Sequence, residues 1–145
     1  MNLRVVIDPG VFVSAALVSS GPPARVVQAW RAGRFELVVS PSLIGELGEV
    51  LVRPKFTRFI SPAETSRLLR LLNEEADCVP DPEVIEGVTG DPGDDYLAAL
   101  VISSEATHLV TGDHTLQRWT HERVTVVSPR EFLDLLESLE SASSP

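Results

Sequence analysis

The chain has little of several residue types. Its 145 residues include one cysteine, Cys78, one tyrosine, Tyr96, and one lysine, Lys55. A single cysteine excludes an intrachain disulfide, and no Cys/His spacing suggests a zinc site; Cys78 reads as a half-buried core residue. His108, His114 and His121 show no ligand spacing with the acids, and His114 reads as an exposed loop side chain. Trp30 and Trp119 read as core or interface residues rather than base-stacking platforms. No apolar run approaches the length of a membrane span. Residues 3–7 enter a strand without a basic-then-apolar leader, which points to a cytoplasmic protein with no membrane partner.

Positive charge is also scarce, and the net charge is −9. Phosphate binding is driven by Lys and Arg, so the total argues against nucleic acid, but the distribution is uneven. Residues 1–72 hold nine Lys+Arg against five acids, net +4, and residues 73–145 hold three against sixteen, net −13. Such asymmetry suggests a basic face and an acidic region.

What is present is an alternation of strands and helices. Residues 3–7 form a short β-branched apolar run ending on Asp8-Pro9-Gly10, the pattern of a buried parallel strand followed by a turn. Further strands are expected at 35–39, 76–79, 107–111 and 124–127. Helices are expected at 11–18, 23–32, 41–52, 62–76, 94–104 and 129–139. Ser40-Pro41, Ser61-Pro62 and Ser128-Pro129 each place a capping serine ahead of a proline at the first helical position. Glu64 and Glu131 complete capping boxes at the last two. The fold class is therefore α/β, with a central parallel sheet covered on both faces, and residues 1–137 form one domain. The tail, 138–145, has little to bury and is expected to be disordered.

In such a sheet, sites form beyond the carboxyl ends of the strands, where the strand order reverses. Asp8 and Asp113 both lie at strand ends. On the helix at 41–52, Leu43, Ile44, Leu47, Val50 and Leu51 form an apolar arc roughly 120° wide, and Glu46 falls about 40° outside its edge. Glu46 is thus the acid that leans over the rim of the core, while Glu49 faces solvent. Asp94 and Asp95 open an almost wholly apolar helix, with Asp91 three residues earlier. A helix cap accounts for one of the pair but not for both. Like charges about 4 Å apart repel by roughly 4 kcal/mol at an effective dielectric near 20, so acids converging at one sheet end imply either bound protons or a divalent cation.

Val5-Val6-Ile7-Asp8, Ser40 to Leu47 with Val50 to Phe56, Asp91 to Ala99, and Leu109-Val110-Thr111-Gly112-Asp113 follow in order across nearly the whole chain. Together these segments resemble the PIN-domain nucleases. The branch resembled is the VapC-like toxin component of toxin–antitoxin pairs. The resemblance implies a three-layer α/β/α sandwich and an endoribonuclease dependent on Mg²⁺ or Mn²⁺. Carried over, the catalytic acids are Asp8, Glu46, Asp95 and Asp113. The metal ligands are Asp8, Asp95 and Asp113, with Asp94 the neighbouring alternative, and Thr111 supplies a supporting hydroxyl. Arg53, Lys55 and Arg58 are candidates for holding the RNA backbone. The implied partners are RNA, a cognate antitoxin and a second copy of the chain, with residues 11–18 or the helix at 62–76 offering a surface.

One departure matters. The family usually has Asp-Thr-Asn after the first strand, and here it is Asp8-Pro9-Gly10. Losing groups that orient a ligand typically costs 10–100-fold in metal affinity or activity, so an inactive RNA- or protein-binding module is the alternative reading. A phosphoacceptor receiver domain shares the acids beyond a parallel sheet but needs a lysine after the last strand, and Lys55 is far from that place.

Overall fold

A computed structural model of the chain describes residues 3–143. The strands β1 (Arg4–Ile7), β2 (Glu36–Val39), β3 (Asp77–Cys78), β4 (His108–Val110) and β5 (Thr125–Val127) form a parallel sheet in the order β3-β2-β1-β4-β5. In register, Val6 lies opposite Val38 on one side and Leu109 on the other. Val5, Val6 and Ile7 are all fully buried. Successive strand side chains leave opposite faces, so the sheet is covered on both sides. The helices that cover it complete a three-layer α/β/α sandwich, as expected.

Those helices are α1 (Pro9–Leu17), α2 (Pro22–Arg31), α3 (Pro41–Leu51), α4 (Pro54–Thr57), α5 (Pro62–Glu75), α6 (Asp95–Ser103), α7 (His114–Gln117) and α8 (Pro129–Ser143). Helix α1 starts earlier than the apolar run suggests, because Asp8 caps it and Pro9 occupies its first turn. The serine starts behave as expected. Ser40 Oγ accepts from the Leu43 N–H, and Ser61 with Glu64 and Ser128 with Glu131 make reciprocal capping bonds. Single-turn α4 and α7 were not foreseen, since four residues are too few to show a helical period. No single helix among the described residues is long and apolar enough to cross a membrane.

Two local expectations are corrected. Cys78 is exposed, because β3 is an edge strand bonded only to β2. Residues 138–143 do not leave the domain as a disordered tail but continue α8, where Glu140 accepts a hydrogen bond from Arg34 Nε at 2.6 Å. Residues 144 and 145 of that tail lie outside the described residues.

The charge asymmetry also acquires a structural reading. Arg4 pairs with Asp77 at 2.8 Å, Arg31 with Glu75, and Arg34 with Glu140. Each joins a cation of the first half to an acid of the second, so part of the imbalance closes on itself.

Helix α8 is anchored by Phe132, which is fully buried and meets Phe35 edge-on with ring centroids 5.0 Å apart. Phe132→Ala is expected to cost about 3–5 kcal/mol in urea unfolding. A loss below about 1 kcal/mol would mean that α8 stands outside the cooperative core.

Candidate metal centre

Strands β1 and β4 are neighbours, yet the chain leaving β1 turns back to β2 on the opposite side. This is the switch point at which parallel sheets open a crevice. The Asp8 N–H donates to the Val110 carbonyl at 2.9 Å, which continues the strand pairing to the edge of that crevice. The Asp8 carboxylate is held twice: Oδ1 accepts from the Gly10 N–H at 3.0 Å and Oδ2 from the Thr111 hydroxyl at 2.7 Å. Thr111 is fully buried, and its hydroxyl oxygen also accepts from the Asp113 N–H at 3.0 Å. One hydroxyl therefore ties Asp8 to the start of Asp113. Asp113 in turn caps α7 by accepting from the Thr115 N–H at 2.8 Å.

The adjacent acids at the start of α6 have opposite surroundings. Asp95 is 1% exposed and turned into the loop before it. Its carboxylate accepts from the Gly87 N–H at 2.7 Å, the Thr89 N–H at 3.0 Å and the Thr89 hydroxyl at 2.6 Å. Led by the Thr89 hydroxyl, these bonds hold its pKa below the usual carboxylate value. The expected catalytic and metal-binding role of Asp95 is thus corrected: all its partners are structural, and it fastens the 87–89 loop to α6.

Asp94, the neighbouring alternative, faces the other acids instead. It is half-buried, and its Oδ2 is shielded from solvent without a hydrogen-bond partner. Burial, followed by the charges of Asp8, Asp91, Asp113 and Glu46, pushes its pKa up to about 6. Those four residues and Asp94 are the acids the fold brings together. Carboxylate oxygens of Asp91, Asp94 and Asp113 lie within 4.8 Å of one another. Oxygen ligands about 2.0–2.6 Å from a Mg²⁺ or Ca²⁺-sized ion stand at most about 4–5 Å apart, so this spacing and the orphaned Asp94 oxygen fit a hard divalent cation. Among the described residues, no Lys or Arg forms an ion pair with any of the five acids.

Asp91 entered the sequence reading only as additional charge. The turn that presents it is built by Pro92-Gly93, with the Gly93 N–H donating to Asp91 Oδ1 at 2.9 Å and the Asp94 N–H donating to the Asp91 carbonyl. Glu46, half-buried on α3, accepts from the Tyr96 hydroxyl at 3.1 Å. Burial raises its pKa, and Asp8 and Glu49 add to this, while Tyr96 and Arg53 oppose it. Tyr96 was not singled out, since a lone aromatic in an apolar helix reads as core. Arg53, Lys55 and Arg58 are all exposed along α4, beyond the end of α3.

The two aspartates predict opposite stability effects. The folded chain keeps the Asp94 proton to about pH 6, whereas the unfolded chain releases it near the ordinary carboxylate value. Stability from this group is complete below that ordinary value and is lost as pH rises through about 6. In EDTA, the melting temperature is expected to climb as pH falls from about 7.5 to about 5.5, and Asp94→Asn should raise it at the upper pH and flatten the slope. Asp95→Asn should instead lower it by about 5–10 °C, since an amide cannot accept all three of its bonds. Circular dichroism melts of the three proteins check both, and equal shifts for the two variants would contradict the assignment.

The sequence profile of the PIN domain matches residues 4–115. The chain is 24% identical over 152 residues to MJ1680 of Methanocaldococcus jannaschii, described as uncharacterized, with 97% of this chain and 96% of that protein covered. The fold is similar to the crystal structure of PAE2754 from Pyrobaculum aerophilum, with a TM-score of 0.65 and 20% identity over 94% of this chain and 90% of that one. PIN domains are in general metal-dependent nucleases, and an acidic crevice at the switch point agrees with that chemistry. With most of its length matched and the sheet and acids in place, the chain belongs to the PIN domain family.

Proposed function

We propose that the chain is a Mg²⁺- or Mn²⁺-dependent endoribonuclease of the VapC-like toxin type, working in the cytoplasm and held in check by a cognate antitoxin. The observation that carries the nuclease reading is the buried, partnerless Asp94 Oδ2 among four further acids. The toxin role rests on the sequence resemblance.

The hydrolysis assigns a task to each residue. Asp91, Asp94 and Asp113, with Asp8 beside them, would hold the cation, which would acidify a water and offset the charge of the scissile phosphate. Thr111 fixes the facing of Asp8, and Glu46 takes the proton released as the water oxygen bonds to phosphorus. The bond from phosphorus to the leaving ribose oxygen breaks, and that oxygen collects a proton from solvent. Arg53, Lys55 and Arg58 hold the RNA backbone, which positions the strand without reading its sequence. A second copy of the chain is expected to dock on α5. Among the described residues its buried side chains are Thr65 and Leu72, whereas α1 turns Val11, Phe12 and Val13 inward.

The alternative is an inactive binding module, motivated by Pro9-Gly10 in place of Thr-Asn. Against it, Asp8 keeps two donors, a backbone N–H and the Thr111 hydroxyl, so its carboxylate does not depend on side chains at positions 9 and 10.

Calorimetric titration with Mn²⁺ and cleavage of structured RNA test the proposal together. Asp94→Asn and Asp8→Asn are each expected to weaken Mn²⁺ binding about 10-fold or more and to lower cleavage at least about 100-fold. Undiminished Mn²⁺ affinity in Asp94→Asn would place the ion elsewhere. Intact Mn²⁺ binding with no cleavage by the wild-type chain on a broad RNA panel would favour the binding module.

A further inference from the structure

Tyr96, the chain's single tyrosine, lies in the first turn of α6, two residues beyond Asp94. Its half-buried ring sends the hydroxyl across 50 residues of sequence to Glu46 Oε2 on α3, at 3.1 Å. Among the described residues this is the hydrogen-bond donor given to the Glu46 carboxylate. Asp8 and Glu49 repel that carboxylate, and the pull of Arg53 is the weakest of the influences on it. Left alone, a glutamate has three rotatable side-chain bonds and gains nothing by facing an acidic crevice, so its ordering needs an anchor. The phenol is suited to be one. Its ring is half-buried against the core, and its neutral hydroxyl donates to Glu46 without adding charge to the crevice.

We propose that Tyr96 is the positioning residue for Glu46: by holding Oε2 it commits Oε1 to the water that attacks phosphorus. The bond also divides labour among the acids. The aspartates of the 91–94–113 group are spaced for an ion, whereas Glu46 lies outside that group and is tethered by a neutral donor. The catalytic half of this inference rests on the nuclease reading above; the tether does not.

Two measurements test it on the full chain. With a single tyrosine, the Fermi doublet in the Raman spectrum reports on Tyr96 alone. Its intensity ratio is expected to be that of a phenol donating to a carboxylate, and to change in Glu46→Ala to that of a phenol bonded to water. In kinetics, Tyr96→Phe is expected to lower kcat about 10–100-fold while leaving KM for RNA and the Mn²⁺ dissociation constant within about threefold. In the Glu46→Ala background, Tyr96→Phe should have no further effect, as groups acting as a unit are non-additive. An identical doublet in wild type and Glu46→Ala overturns the tether. A kcat within about twofold of wild type, or a loss undiminished in the Glu46→Ala background, overturns the positioning role. If the wild-type chain cleaves no RNA, the nuclease reading fails by itself, and the Raman comparison still decides whether Tyr96 holds Glu46.

Discussion

Mutual repulsion among carboxylates is the constraint around which this domain is built. Strand pairing between β1 and β4 puts Asp8 beside Thr111 and Asp113, and the helices on either side bring Glu46 and Asp94 to the same crevice. Most of these acids receive one or two donors, each an N–H or a hydroxyl and none a cation. Neutral donors orient a carboxylate without cancelling its charge. The site therefore arrives with geometry in place and charge uncompensated, the condition in which a divalent ion gains most from binding.

How far this could be read from sequence depended on whether the deciding pattern was periodic. The parallel sheet followed from β-branched runs alternating with capped helices, and Asp8 and Asp113 followed from their places at strand ends. Glu46 followed from the angular edge of an apolar arc. Asp94 and Asp95 could not be separated in this way. Neighbours on a helix differ by about 100° in direction, so the two carboxylates point different ways, and sequence spacing alone does not say which meets the other acids. Which one does so is decided by Gly87 and Thr89, in a loop with no period to read. Tyr96 was hidden for a related reason: its ring meets the demands of a core position, and only the reach of its hydroxyl to another helix reveals a polar task.

The acidic second half of the chain bears on how an anionic protein could handle an anionic polymer. Three ion pairs engage cations of the first half, so part of the acidic charge is compensated, while the acids of the crevice have no such pairing among the described residues. The basic residues of α4 stay exposed beside aromatic rings, Lys55 lying 5.0 Å from the Phe56 ring centroid and Arg58 5.9 Å from that of Phe59. Long-range attraction would be weak for such a surface and strongly dependent on salt.

The brace formed by Asp95 has a consequence for how this chain can diverge. Its carboxylate closes a ring back onto Gly87 and Thr89, while Asp91 and Asp94, set within that same short span, project toward the crevice. The exposed side chain at Val88 could change with little disturbance, because backbone groups make most of the ring. A residue gained or lost between Thr89 and Asp95 would be another matter: it would turn both acids relative to the brace. Across evolutionary time this segment should tolerate substitution far better than insertion or deletion.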